Sequence, residues 1–292
     1  MKVKEADLNL ESPAKLNLSL EVIGILETGF HEISSIMQSL DLHDDITFYE
    51  SSDLEISCSV PELADQNNLI FQVVSKLKTE YSVGRGVKIH VQKNIPLASG
   101  LGGGSSNIAT VLGGLNLLWD LRLTNEELKR TGAMFGSDIP FFIHGGTAYS
   151  HGTGTEIRQL PDLATHAFLL IDPKCIIPNK TATMYSKIIS SDYTNGGLTR
   201  KLEARIRGGG DVPQELMYNV FDKISSRNFN NVKRCIKTLK TIGIREIHTA
   251  GSGPYLFTVI KNKDIGRAYQ ILLQNKYAIN SIVTESIGHF NV

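Results

Sequence analysis

The chain has 292 residues, 30 Lys+Arg against 30 Asp+Glu, a formal net charge of +0, and 41% hydrophobic residues. That length suits roughly two domains of about 150 residues each, and zero net charge argues against a general nucleic-acid binder. Cys58, Cys175 and Cys235 form no CxxC pair, which argues against a disulfide framework or a structural zinc site and fits a reducing cytoplasm. No segment approaches the ~18 apolar residues of a membrane-spanning helix, and Met1 to Asp7 has no apolar signal core. The expectation is a cytoplasmic enzyme or binding protein that needs neither membrane nor nucleic acid.

Leu8 to Ile25 alternates apolar and polar residues, most clearly over Leu16 to Val22, and predicts a half-buried strand. A turn follows at Glu27-Thr28-Gly29. Ile33 to Phe48 reads as more strand, broken by the polar stretch Asp41 to Asp45, and Leu54 to Val60 alternates again. Leu69, Val73, Val74 and Leu77 have helical spacing behind a cap at Asn67 or Asn68. Val87 to Val91 is a short strand that runs into a glycine-dense loop, and an apolar helix follows from about Asn107 to Trp119. Thr124 and Glu127 have capping-box spacing. His166 to Asp172 predicts a buried strand and Thr181 to Ile189 a helix; Lys201 to Arg207 reads as a solvated basic helix face. The weakest seam, Gln159 to Asp162, puts the boundary between domains 1–158 and 159–292. Mixed strands and helices point to α+β.

The loop Gly100-Leu101-Gly102-Gly103-Gly104-Ser105-Ser106 sits between a strand and a helix. Glycines let the backbone take positive φ and approach an anion, and the free N–H groups and dipole of the helix start attract one. It is not a P-loop, because no Lys follows the glycines, and not a dinucleotide fingerprint, because the sixth position is Ser105. An unliganded glycine hairpin is the other reading of such a run taken alone.

Pro96 to Asn107 resembles the phosphate loop of the GHMP kinases. Four further segments agree with that resemblance in chain order: Ser12-Pro13-Ala14-Lys15-Leu16-Asn17-Leu18, Gly29-Phe30-His31-Glu32, Gly136-Ser137-Asp138-Ile139-Pro140 and Thr249-Ala250-Gly251-Ser252-Gly253-Pro254. The resemblance implies two α+β domains, the first like ribosomal protein S5 domain 2 and the second ferredoxin-like, with an active site in the cleft between them. It implies an ATP-dependent kinase, with Mg²⁺ on the ATP phosphates. The form of the glycine loop and of the Phe30-His31 turn implies a cytidine diphosphate substrate, 4-diphosphocytidyl-2-C-methyl-D-erythritol, phosphorylated on its 2-hydroxyl in non-mevalonate isoprenoid synthesis. A mevalonate-type kinase or decarboxylase, or a catalytically silent nucleotide-binding regulator, is the alternative.

The roles implied by the resemblance are these. Asp138 is the general base, and Lys15 its electrostatic partner. Leu97, Ala98, Ser99, Gly100, Leu101, Gly102, Gly103, Gly104, Ser105 and Ser106 hold the ATP phosphates, with Ser106 also reaching the metal. Asn68 (with Asn67 and Leu69) and Lys93 lie nearer the adenine. Phe30 stacks on cytosine, His31 reads the base edge, and Asn17, Thr181, Tyr185 and Gly253 contact the rest of the substrate. The family usually has Tyr where this chain has Phe30, and its arginines before that turn are missing from Ile23 to Gly29.

Overall fold

The computed structural model describes residues 7–63, 68–210 and 212–292, so the reading of Asn67 as a cap or adenine neighbour lies outside the described residues. The chain opens on two long strands, β1 (Leu8–Ile25) and β2 (His31–Ser51), paired antiparallel along nearly their whole length. They are followed by β3 (Leu54–Cys58), α1 (Leu69–Glu80), β4 (Gly86–Gln92), α2 (Gly103–Leu118), α3 (Asn125–Ala133), α4 (Ile139–Phe142), β5 (Thr147–Gly152) and β6 (Glu156–Gln159). β4 pairs with β2 and β3, while β5 pairs with β2 and β6.

The sequence expectation breaks β2 at Asp41 to Asp45; the strand instead runs straight through. Both aspartates have distant partners that offset their burial. Asp44 accepts from the backbone N–H groups of Asn94 and Ile95 at 2.7 and 2.8 Å. Asp41 accepts from the N–H of Glu285 at 2.8 Å and is paired with Lys263. The alternation of β1 also changes meaning, because Asn17, Ser19 and Glu21 are all buried. Their face is covered from the second half of the chain: Thr199 donates its N–H to Glu21 and its hydroxyl to Ser19.

That second half contributes β7 (Ala167–Ile171), α5 (Lys180–Tyr185), α6 (Gly197–Arg207), β8 (Tyr218–Asn219), α7 (Phe221–Asn228), α8 (Asn230–Thr241), β9 (His248–Thr249), β10 (Leu256–Ile260), α9 (Lys263–Tyr277) and β11 (Ser281–Glu285). The second sheet has the order β11-β7-β10-β9 and is antiparallel throughout. With α8 between β7 and β9, and α9 between β10 and β11, this is the βαββαβ ferredoxin-like order, carrying α5 to α7 as an insertion. β8 leaves that set and pairs parallel with β1, Ser19 opposite Tyr218 and Leu20 opposite Asn219. Asn219 donates its amide to the carbonyls of Thr249 and Gly251 at 2.7 and 2.8 Å, fastening the glycine turn of the second half to the first sheet.

Apolar residues fill three main layers. Phe48, Ile89, Val73 and Leu115 pack under α1 and α2, Leu16, Leu40, Phe168 and Phe257 pack between the sheets, and Leu169, Leu239 and Leu273 pack beneath α8 and α9. Each fully buried side chain of this size contributes about 1.5–3 kcal/mol. Two local expectations hold at atomic detail. Asn68 caps α1 by accepting from the Ile70 N–H, and Thr124 with Glu127 forms the reciprocal capping box of α3. The helix expected over Thr181 to Ile189 is shorter, ending at Tyr185.

Candidate active site

A cleft of about 1440 Å³ opens between the β1–α2 side and the α5 side. Small-molecule sites commonly occupy about 300–1,000 Å³, so this one has room for two nucleotide-sized ligands. Its floor is the glycine loop. The expected helix start at Asn107 moves upstream: α2 begins at Gly103, so Gly103 to Ser106 form its first turn instead of a loop before it. Glycine's poor helix propensity hides that turn in the sequence. The leading N–H groups of α2 have no intrahelical carbonyl to reach, and they line the cleft at Gly103, Gly104 and Ser105.

The glycines differ in what they do. Gly100 has φ +93°, and a Cβ there would sit 1.9 Å from the Ala250 carbonyl oxygen. Gly102 has φ +77°, and its Cβ would sit 2.9 Å from Lys15 Cγ. Both let the loop wedge against β1 and the Ala250 turn. Gly104 meets nothing within 4 Å, so it is the glycine whose open side faces space for a ligand.

β1 supplies Lys15 to the cleft. Its register with β2 shifts on both sides of Lys15 to Asn17, between Pro13 and Lys15 and between Asn17 and Ser19. Such irregularities re-aim side chains. Lys15 Nζ donates to Asn17 Oδ1 at 2.7 Å and lies 3.2 Å from Asp138 Oδ2. Asn17 is fixed in turn by donating to Ser35 Oγ at 2.7 Å. Asp138 is the residue ahead of the short helix α4, whose first turn holds Pro140. The proline's fixed φ suits that position and its missing N–H costs nothing there. Asp138 faces the cleft with its side chain 36% exposed.

The rim carries Phe30, 67% exposed, and His31, both on the cleft. The His31 ring lies 5.2 Å from that of Tyr185 and 6.5 Å from that of Tyr193. Burial pushes the imidazole below its ordinary value of 6.5. It is therefore neutral at pH 7 and offers one N–H and one lone pair. Tyr185 packs its ring 5.0 Å from Phe221, and burial with the Asp138 charge pushes its phenol up. Thr181 lines the same wall and is exposed.

Three expected contacts sit elsewhere. Ser106 is fully buried, its hydroxyl accepting from Ser12 Oγ at 2.8 Å, so it does not reach the cleft as a metal contact would require. Leu101 is buried in the core, its carbonyl accepting the Lys15 N–H at 2.9 Å. Gly253 is off the cleft wall and its N–H is spent on the Ala250 carbonyl at 2.7 Å; Gly251 and Ser252 line the cleft in its stead. Lys93 lines the cleft but is paired with buried Asp44 and donates to Asn107 Oδ1 at 3.0 Å. Asn68 also lines it, with its amide spent on the α1 cap and on the Leu63 carbonyl. Lys180, which sequence reading passes over, lines the cleft on the α5 side. Among the described residues no group of three or more His, Cys, Asp or Glu could hold a metal ion, and no helix is long and apolar enough to cross a membrane.

Comparison with known proteins agrees with this geometry. Residues 68–146 match the family described as GHMP kinases N terminal domain. A 4-diphosphocytidyl-2-C-methyl-D-erythritol kinase of Dehalococcoides mccartyi is 37% identical over 269 residues, covering 91% of this chain and 94% of the relative. The Bacillus pumilus enzyme of the same name is 35% identical over 256 residues, covering 86% and 87%. The crystal structure of a 4-(cytidine 5'-diphospho)-2C-methyl-D-erythritol kinase superposes with a TM-score of 0.81 at 24% identity, over 96% of this chain and 100% of that one. A homoserine kinase from Cytophaga hutchinsonii superposes at 0.74 with 14% identity, over 100% and 98%. The structures establish a shared α+β GHMP kinase fold. With sequence identity sustained along nearly the whole of both chains, the protein belongs to the 4-diphosphocytidyl-2-C-methyl-D-erythritol kinase family of the GHMP kinases.

Proposed function

We propose that this chain transfers the γ-phosphoryl group of ATP to the 2-hydroxyl of 4-diphosphocytidyl-2-C-methyl-D-erythritol, with domains 1–158 and 159–292 forming the two walls of the cleft. The observation that carries the reading is the Lys15–Asp138 pair, 3.2 Å apart, beside the open N–H groups of α2 and in one cleft with Phe30 and His31.

The ATP phosphates accept from the N–H groups of Gly103, Gly104 and Ser105, while cytosine stacks on Phe30 and meets His31. The substrate hydroxyl points at Asp138. As its oxygen bonds to the γ-phosphorus and the bond to ADP breaks, the hydroxyl proton passes to the Asp138 carboxylate. Lys15 holds that carboxylate in register and puts positive charge where the transferring phosphoryl carries negative charge. Asp138 and the Ser105 hydroxyl are oxygen donors on the cleft wall. That sparse set suits a magnesium ion carried mainly by nucleotide phosphates, as Mg²⁺ sites of this kind usually are. When bound, the ion neutralises phosphate charge. Work on small molecules in this way needs no membrane, and a cytoplasmic setting suits it.

An ADP-release assay against the cytidine diphosphate substrate, mevalonate, homoserine and galactose tests the reading. Turnover of the cytidine substrate alone is expected. Turnover of mevalonate in its place would move the chain to a mevalonate-type activity, and no ADP from any of them would point to a binding protein.

A further inference from the structure

Three lysines line the cleft: Lys15, Lys93 and Lys180. The first two have carboxylates within ion-pair distance, Asp138 and Asp44. Lys180 does not. Among the described residues its Nζ donates to Ser252 Oγ at 2.8 Å and joins no ion pair. An ammonium has three N–H donors, so two remain for a ligand. A half-buried cation without an anion is costly in a folded chain unless an anion arrives to complete it.

What faces this amine narrows the anion. Lys15 on β1 and Asp138 ahead of α4 are the charged groups whose fields act on it. Lys180 thus lines the same cleft as the pair proposed to take the hydroxyl proton. Ser252, which anchors it, belongs to the turn held against the first sheet by Asn219. The glycine loop closes the floor between them, with Gly100 pressed on Ala250.

We propose that Lys180 is a catalytic residue of the second half of the chain, its ammonium held by Ser252 and contacting the transferring phosphoryl group from the side opposite the α2 N–H groups. This rests on the kinase function proposed above. It gives the phosphoryl two cations, Lys15 from β1 and Lys180 from α5, and one of the two is bound to no carboxylate. The amine's own state agrees with such a vacancy. Burial, and then the Lys15 charge, lower its pKa from the ordinary 10.5 to about 8, while Asp138 acts the other way. An arriving polyphosphate supplies the missing negative charge and holds the proton on.

The test is steady-state ADP release across the pH range by the full chain, for wild type, Lys180→Met and Lys180→Arg. For Lys180→Met, kcat should fall about 10²-fold, with a smaller change in KM for the cytidine substrate. The wild-type kcat/KM should decline as pH rises through about 8, where the free amine loses its proton. That limb should vanish in Lys180→Met, and in Lys180→Arg, which stays charged, it should vanish while part of kcat returns. Lys180→Met with kcat within about twofold of wild type and an unchanged alkaline limb overturns the role and leaves the kinase function standing. A wild type that releases no ADP overturns that function and this role with it. Melting temperatures of both variants separate loss of fold from loss of chemistry.

Discussion

Two lysine–aspartate pairs flank the same glycine loop, and they are built for opposite ends. In the Lys93–Asp44 pair the side chains are 7% and 0% exposed, and Asp44 also accepts from two backbone N–H groups and from Asn107. Its carboxylate has no capacity left. In the Lys15–Asp138 pair Lys15 is 5% exposed but Asp138 is 36% exposed, and Lys15 is its only ion-pair partner among the described residues. Identical chemistry becomes a clamp where every lone pair is spent, and leaves a carboxylate open to the cleft where it is not. Satisfaction by neighbours, more than residue type, separates the two.

Mutating each pair should give crossed results. Asp138→Asn keeps the shape and removes the proposed base: kcat should fall by about 10²–10⁴-fold in the ADP-release assay, with the melting temperature near wild type. Asp44→Ala should do the reverse. It strands a buried ammonium and two N–H groups, and should cost about 3–5 kcal/mol in denaturant unfolding. If Asp138→Asn unfolds the protein while Asp44→Ala leaves it stable and inactive, the distinction between the pairs collapses.

The third lysine sharpens the contrast. Below about pH 8 Lys180 is charged in both the folded and unfolded chain, and burial makes that charge costly only in the folded one. The cost is full there and disappears as pH rises toward the ordinary 10.5. Lys180→Met should therefore stabilise the ligand-free protein at neutral pH by about 1–3 kcal/mol, read as a higher melting temperature, with the gain shrinking in alkali. On the rim, where nothing is clamped, Phe30→Ala should leave stability unchanged. It should weaken the cytidine substrate by roughly 1–3 kcal/mol, seen as a raised KM.

How far the sequence reaches depends on how far each residue's partners lie along the chain. The extended run of β1, the Asn68 cap and the Thr124–Glu127 box depend on neighbours within a few positions and are legible, whereas the burial of β1's polar face depends on Thr199 and is not. Asp44 looks like a strand breaker because the groups that satisfy it come from residues 93–107. Ser106 looks like a metal ligand because Ser12, which takes its hydroxyl, is 94 residues away. Gly253 looks like a free N–H donor until the turn folds back on Ala250. Lys180 carries no sequence mark, since an isolated lysine at the start of a short helix reads as a surface group. Its lack of a carboxylate is visible only once β1, α4 and α5 converge.

The pairing of β8 with β1 ties the two halves of the chain together beside the cleft. Lys15 and Asn17 lie on β1 just upstream of Ser19 and Leu20, where β8 is joined, and Asn219 on β8 grips the carbonyls of Thr249 and Gly251. Both walls of the cleft are thus stitched together at its base. Lys15, and Lys180 through its bond to Ser252, therefore sit on backbone joined across that seam and not on two independent bodies.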